Sequence, residues 1–321
     1  MKDLKLWNLV LENIRRNKKV ILTTVLESKG SSPGKAGFKI VVADDKTHVG
    51  TIGGGEMEFN LLNECNKLLD SKKKIYLHRK LHHSKKVKKL QSGLVCQGTQ
   101  TNFTLSLDKK DYKNVEFIIK SFEKKEPAIL ILSPDGLKIK KSFKNDEHIN
   151  YNYKSKSDWR YEENIGVKDT VYIIGGGHVG FALSNQMELL GFHIVVFDNR
   201  ADVQTINENR SADEIIIASF NEVGSYIEEG QYSYAAIVTS ALPTDKIAVK
   251  QIINKKLKYI GLMGSEAKLK RIFDELEAEG IKKSLLKKVN APIGLKINSN
   301  TVEEIAVSIA AQIIKVKNSN N

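Results

Sequence analysis

Two cysteines in 321 residues, Cys65 and Cys96, are too few for a disulfide framework or a four-thiolate metal site, and that scarcity suits a reducing compartment. Long apolar runs are missing too. The longest candidate, Ile305 to Ile314, reaches only about half of the ~20 apolar residues that a membrane helix needs. Leu4 to Ile14 is interrupted by Lys5, Asn8 and Glu12, so it reads as an amphipathic helix and not as a signal peptide. A cytoplasmic protein with no membrane contact is expected. Acidic residues are absent from Lys72 to Lys89, a stretch that carries much of the net charge of +13. No helix-turn-helix, zinc finger or aromatic RNA platform accompanies it, so nucleic acid is not the expected partner. A solvated face, a site for a phosphate-bearing cofactor and an acidic protein surface remain open.

What is present points to two globular domains, with 41% hydrophobic and 28% charged residues. The stretch from Val171 to Asp198 organises the second. Val171 to Ile174 is a short apolar run, long enough for a strand buried on both faces. Gly175, Gly177 and Gly180 follow at G-x-G-x-x-G spacing, and Phe181, Leu183, Met187 and Leu190 mark an amphipathic helix that stops at Gly191. A second strand, Phe192 to Phe197, ends in Asp198, where a dinucleotide fold places the acid that holds ribose hydroxyls. Strands at Glu214 to Ala218, Tyr234 to Thr239 and Tyr259 to Met263 alternate with helices. The expected fold class is α/β, with a C-terminal Rossmann-like doubly wound parallel sheet at 166–321. Its crevice is expected to be lined by the loops at Gly175 to Gly180, Asp198 to Arg200, Thr239 to Ala241 and Gly261 to Ser265. A capping box at Thr301 and Glu304 starts the last helix.

An N-terminal α+β domain is expected over residues 1–150, joined by a linker at 151–165 whose surroundings hold one short strand around His148 to Tyr153. It carries the loop Gly30-Ser31-Ser32-Pro33 and a second glycine-rich turn, Gly53-Gly54-Gly55, which opens a helix with Glu56 and Glu58 in its first turn. Such a turn can cradle an anion, although its carboxylates would repel phosphate and suit a neutral polar ring as well. Cys65 falls on that helix's buried face and reads as core. Cys96, beside Gly98 on a loop, is open to either a structural or a reactive role. His78 and His82 have metal-like spacing only on a helix, whereas their segment alternates like a strand, so no metal site is expected.

Together these motifs resemble one family. Gly30-Ser31-Ser32-Pro33, Gly50 to Gly55 with Glu58, Gly175-Gly176-Gly177-His178-Val179-Gly180, Tyr259 to Ser265, and Ala291-Pro292-Ile293-Gly294 with Glu303 to Ala306 are similar, in order, to the xanthine dehydrogenase accessory proteins of the XdhC and CoxI type. The resemblance implies a maturation factor, not an enzyme, that binds the molybdenum cofactor (molybdopterin) as cargo and delivers it to a molybdenum hydroxylase apoenzyme such as xanthine dehydrogenase. A cysteine desulfurase is a further candidate partner, and a homodimer is the expected assembly. The cofactor-binding set is then Ser31, Ser32, Gly53, Gly54, Gly55, Glu56, Glu58, Gly175, Gly177, His178, Gly180, Asp198, Arg200, Gly264 and Ser265, with Cys96 and His178 as candidates for chemistry. Three departures matter. Glu56 stands where some members have cysteine, Gln97 follows Cys96 where glycine is usual, and Leu242 replaces a common histidine. The alternatives are an NAD(P)-dependent oxidoreductase working through His178 in the crevice, whose histidine is equally read as a helix cap, and a nucleotide-sensing regulator.

Overall fold

Val20 to Leu26 is buried along its whole length, which requires cover on both faces of the strand that contains it. The computed structural model, which describes residues 2–71, 73–82, 98–141 and 148–319, supplies that cover within the first of two compact units, Met1–Val167 and Lys168–Asn321. The first unit runs α1 (Lys2–Arg15), β1 (Val20–Gly30), β2 (Lys39–Val42), β3 (His48–Gly50), α2 (Gly55–Leu69), β4 (Tyr76–His82), β5 (Gly98–Leu107), α3 (Tyr112–Lys124), β6 (Ala128–Ser133), β7 (Gly136–Lys140), β8 (Ile149–Ser155) and β9 (Asp158–Ile165). Its first sheet has the order β3-β2-β1-β5-β4 and its second β7-β6-β9-β8.

One face of the first sheet packs with α1, α3 and the second sheet around Trp7, Leu22, Phe103, Ile118, Leu130 and Tyr161. The other face lies under α2, where Ile21, Val42 and Cys65 form one cluster and Val25, Ile40, Ile52 and Met57 the next. Burial pushes the Cys65 thiol up to about 12, so it is an inert packing group.

Residues 151–165 are not a linker. They lie in β8 and β9, which pair antiparallel with Tyr151 opposite Tyr161 and Tyr153 opposite Trp159. The outer strand β8 is largely exposed and therefore polar, and the inward row of β9 contains a carboxylate, Glu163, between Tyr161 and Ile165. Glu163 is held by the Lys39 ammonium at 2.6 Å and accepts from the Tyr161 hydroxyl at 2.8 Å. Both members of the pair are more than nine-tenths buried.

The second unit runs β10 (Thr170–Ile174), α4 (His178–Leu189), β11 (His193–Asp198), α5 (Gln204–Asn207), β12 (Glu214–Ile217), α6 (Val223–Tyr226), β13 (Gly230–Ile237), α7 (Leu242–Ile252), β14 (Leu257–Leu262), α8 (Glu266–Ala278), α9 (Lys283–Leu286) and α10 (Val302–Asn318). Its sheet, β12-β11-β10-β13-β14, is parallel throughout. The chain winds outward from β10 on one side and then on the other, the doubly wound arrangement of a Rossmann domain. Alternate residues explain the unbroken apolar strands. Tyr172, Ile174, Val195 and Phe197 pack toward α7 and α8, while Val171, Ile173, Ile194 and Val196 pack toward α4 and α10. The capping box at Thr301 and Glu304 forms, each side chain bonding the other's backbone N–H. No helix among the described residues is long and apolar enough to cross a membrane.

The buried pair gives a stability test. Glu163→Leu alone strands the Lys39 charge and is expected to lower the unfolding free energy by about 3–5 kcal/mol. The double change Lys39→Met/Glu163→Leu is expected to recover most of that loss in urea unfolding followed by tryptophan fluorescence. A double variant as unstable as the single one would show that the stranded charge is not the cause.

Candidate functional site

At the C-terminal ends of β10 and β13, where the chain reverses its direction of winding, open α/β sheets leave a crevice. Here it is a cleft of about 440 Å³. Gly175, Gly177 and His178 form one wall, Asp198 and Arg200 another, and Thr239, Ser240 and Thr244 a third. Phe220, Val238 and Met263 supply its apolar lining.

Each glycine of the fingerprint has its own physical reason. Gly175 has φ +116°, and a Cβ there would sit about 3 Å from the backbone of Val238 and Thr239. At Gly180 a Cβ would fall 2.0 Å from the Gly175 carbonyl oxygen, so this glycine lets α4 pack against the turn below it. Gly177 faces open space. It is the N-cap of α4 and makes no side-chain cap, which leaves the helix's first N–H groups directed at whatever fills the cleft. His178, exposed at the helix's first position, stands beside them.

Asp198 sits where expected, and its side chain is bonded from within the chain. Its side chain is 1% exposed. Oδ1 accepts from the Arg200 backbone N–H at 3.1 Å and from Nε at 2.8 Å, and Oδ2 accepts from Arg200 Nη2 at 2.9 Å and from the Gly176 N–H at 2.8 Å. A carboxylate has about four lone-pair positions, and all four are filled from within the chain. Burial by itself would raise the Asp198 pKa, but the Arg200 fork and the Gly176 N–H outweigh it and hold the carboxyl below its ordinary range. Asp198 thus ties the glycine turn to the loop after β11, and Arg200 is the half that remains partly exposed.

The first unit's glycine turn differs from expectation in the same way. Gly53, Gly54 and Gly55 all have positive φ, a run of conformations that side chains resist. Glu58 folds back into the turn. Its Oε2 accepts from the Ile52 N–H at 2.8 Å, the Gly54 N–H at 3.1 Å and the Thr51 hydroxyl at 2.6 Å. The N–H groups of Ile52 and Gly54 in the nest are therefore taken by the chain's own carboxylate. Ser32 is buried and donates to Gln100 Oε1 and to the Gly34 carbonyl. Ser31, Gly55 and Glu56 remain exposed.

Gln100 organises this region and is not evident in the sequence. It is fully buried, and its Nε2 donates to the Ile52 carbonyl and to Asn102, which clamps the serine loop against the glycine turn. In the alternating run Gln100, Asn102, Thr104 and Ser106 it resembles an ordinary solvent-facing residue. Asp245 is similar. Placed in the first turn of α7, it reads as a dipole-favouring acid. In the fold it is fully buried, takes the Thr239 hydroxyl at 2.5 Å and pairs with Lys268. Burial raises its pKa against the pull of Lys268 and Thr239.

Gly264 and Ser265 lie just past β14 but do not join the cleft's lining, where Met263 represents that loop. Ser265 instead caps α8 by accepting from the Lys268 N–H. Cys96 lies outside the described residues, as do residues 72 and 83–89 of the basic stretch from Lys72 to Lys89.

Residues 171–313 match the XdhC Rossmann domain family, and residues 14–79 match the XdhC and CoxI family. The chain is 22% identical over 300 residues to uncharacterized protein YqeB of Escherichia coli (strain K12), covering 92% of this chain and 43% of that one. It is 28% identical over 155 residues to a probable xanthine dehydrogenase subunit of Bacillus subtilis (strain 168), covering 48% and 45% respectively. The chain thus spans less than half the length of these curated relatives. A crystal structure of a xanthine dehydrogenase from Bacillus halodurans superposes with a TM-score of 0.75 at 21% identity, over 100% of this chain and 97% of that one, a likeness of fold.

Two outcomes follow from the cleft's geometry. Gly177→Val is expected to leave the melting temperature near wild type yet prevent pyrophosphate from binding in calorimetric titration, whereas Gly180→Ala is expected to destabilise by roughly 1–3 kcal/mol because of overpacking. Equal pyrophosphate binding by Gly177→Val and wild type would place the anion elsewhere. The Asp198 clamp is acid-labile in a definite sense. A carboxyl with a lowered folded-state pKa stabilises fully above its unfolded value of about 3.9, and that contribution disappears as pH falls through the lower folded value. The melting-temperature gap between wild type and Asp198→Asn is therefore expected to close as the pH drops below about 4. A gap that is constant with pH would contradict the ionised clamp.

Proposed function

The chain belongs to the XdhC and CoxI family, and from that premise we propose that it is a maturation factor: it binds the molybdenum cofactor as cargo and delivers it to a molybdenum hydroxylase apoenzyme of the xanthine dehydrogenase type. The observation that carries this reading is the cleft above β10 and β13. It offers an uncapped helix N-terminus and the exposed Ser240 hydroxyl to an anion, while its one acid has its acceptor positions taken within the chain. A ligand recognised by its phosphate end, as a phosphorylated pterin would be, suits that chemistry.

In this role α4's first N–H groups hold the phosphate. Ser240 orients it, Thr239 and Thr244 brace the loop through Asp245 and the Ala241 carbonyl, and the apolar lining from Phe220, Val238 and Met263 keeps water from the part of the cargo nearest the sheet. An NAD(P)-dependent oxidoreductase fits less well, because it asks Asp198 to accept ribose hydroxyls that could bind only by displacing Arg200. The same reading gives the protein two further partners, a cysteine desulfurase that renews the cargo's sulfur and a second copy of the chain. Binding and release, with no covalent step by this chain's own residues, are sufficient for the task.

The test uses the intact protein purified from molybdenum-replete cells. A pterin is expected to come with it, detected by fluorescence after acid release and oxidation, and the preparation is expected to activate an apo-hydroxylase. Gly177→Val is expected to carry much less pterin. Wild-type protein that carries none and activates nothing would overturn the proposal, and a Gly177→Val protein that carries and delivers as much as wild type would remove the cleft from it.

A further inference from the structure

A second cleft, of about 630 Å³, lies within the first unit, where Arg79 and Lys80 bring part of the basic stretch that begins at Lys72 beside a group of aromatic rings. That size falls in the range of small-molecule sites. It is built on β1, β4, β5 and β8, so it rests on regular strands. Its aromatic part is ordered. The His78 imidazole stacks on Tyr153 with centroids 5.3 Å apart and planes 20° from parallel, and on Tyr151 at 6.2 Å and 24°. His78 Nε2 is 2.7 Å from the Tyr151 hydroxyl, and Trp159 backs the imidazole at 5.0 Å. Burial lowers the His78 pKa, so the imidazole is a neutral stacking surface at neutral pH. Tyr153 is nevertheless 48% exposed, so part of its ring is open to a ligand.

The polar part is strongly biased in charge. Lys29, Arg79, Lys80 and Lys156 line the cleft against the single carboxylate of Glu27. Lys29 pairs with Glu27 and Arg79 with Glu64, whereas Lys80 and Lys156 have no ion-pair partner among the described residues. Aromatic rings with exposed faces beside unpaired ammonium groups match a ligand that joins a flat ring to an anion.

We propose that this cleft binds a phosphorylated heteroaromatic small molecule, its ring stacked on Tyr153 and its phosphate between Lys80 and Lys156. A purine nucleotide and a pterin phosphate share this chemistry. The proposal is independent of the Rossmann crevice and stands whether or not that crevice takes the molybdenum cofactor.

The test titrates the intact protein by calorimetry with GMP, a pterin phosphate and inorganic phosphate. The ring-bearing ligands are expected to bind more tightly than phosphate alone, and the tighter of the two names the natural source. Tyr153→Ala, an exposed position, is expected to weaken the ring-bearing ligands about tenfold, the effect of losing one stacked ring, and to leave phosphate unchanged. Lys80→Glu/Lys156→Glu is expected to weaken all three. Gly177→Val is expected to leave at least one ring-ligand binding event intact, which separates this site from the crevice. The proposal is overturned if Tyr153→Ala binds the ring ligands like wild type, if phosphate binds as tightly as they do, or if Gly177→Val abolishes all binding. Retention on single-stranded RNA at ~150 mM salt with no binding of mononucleotides would make the surface a polymer platform instead.

Discussion

A carboxylate satisfied from within the chain governs the second unit. Asp198 receives the Gly176 N–H, the Arg200 backbone and both arms of the Arg200 fork, and in doing so it joins the end of β10 to the end of β11 at the point where the sheet's winding reverses. The clamp thereby holds two of the crevice's walls, the glycine turn and the loop after β11. With the acid's acceptor positions taken within the chain, the donors that face the crevice unbonded are those of the α4 N-terminus. The residue type that marks a dinucleotide fold is thus present and is bonded to the chain itself.

The first unit repeats the device twice. Glu58 closes its own glycine turn, and Glu163 inside the β6–β9 sheet meets Lys39 from β2. The buried pair crosses between two sheets, so it fixes which strand of one sheet faces which strand of the other, at the cost of desolvating both charges. Glu58 has a functional corollary: two glycine-rich strand-to-helix turns that look alike in sequence divide into one already filled and one open. Gly177 marks the open one, since it faces empty space and carries no capping side chain.

The polar ladder on β5 shows a further constraint. Gln100, Asn102, Thr104 and Ser106 lie on the face covered by α2, and all four are buried. They are accommodated because each finds a partner there: Gln100 with Ile52 and Asn102, Thr104 with Thr23, Ser106 with the Ile75 N–H. A half-polar strand can therefore be central when its polar side chains are hydrogen-bonded to neighbours. The same principle makes Asp245 tolerable beneath the crevice, between Thr239 and Lys268.

Periodicity and backbone chemistry were legible in the sequence by itself. Apolar runs of strand length, the glycines that permit positive φ or close approach, the amphipathic period of α1 and the reciprocal cap at Thr301 and Glu304 are local properties, and the two-unit α/β architecture with its crevice follows from them. Partner choice was decided only by the tertiary structure. Lys39 and Glu163 are 124 residues apart, so nothing local tells that a glutamate between Tyr161 and Ile165 belongs to a core strand and not to a linker. Asp198 and Glu58 occupy positions where a carboxylate for a ligand and a carboxylate for the chain read identically. Whether such a group greets a guest or closes a turn depends on which donors the folded backbone brings within about 3 Å, and a linear pattern of residues does not contain that distance.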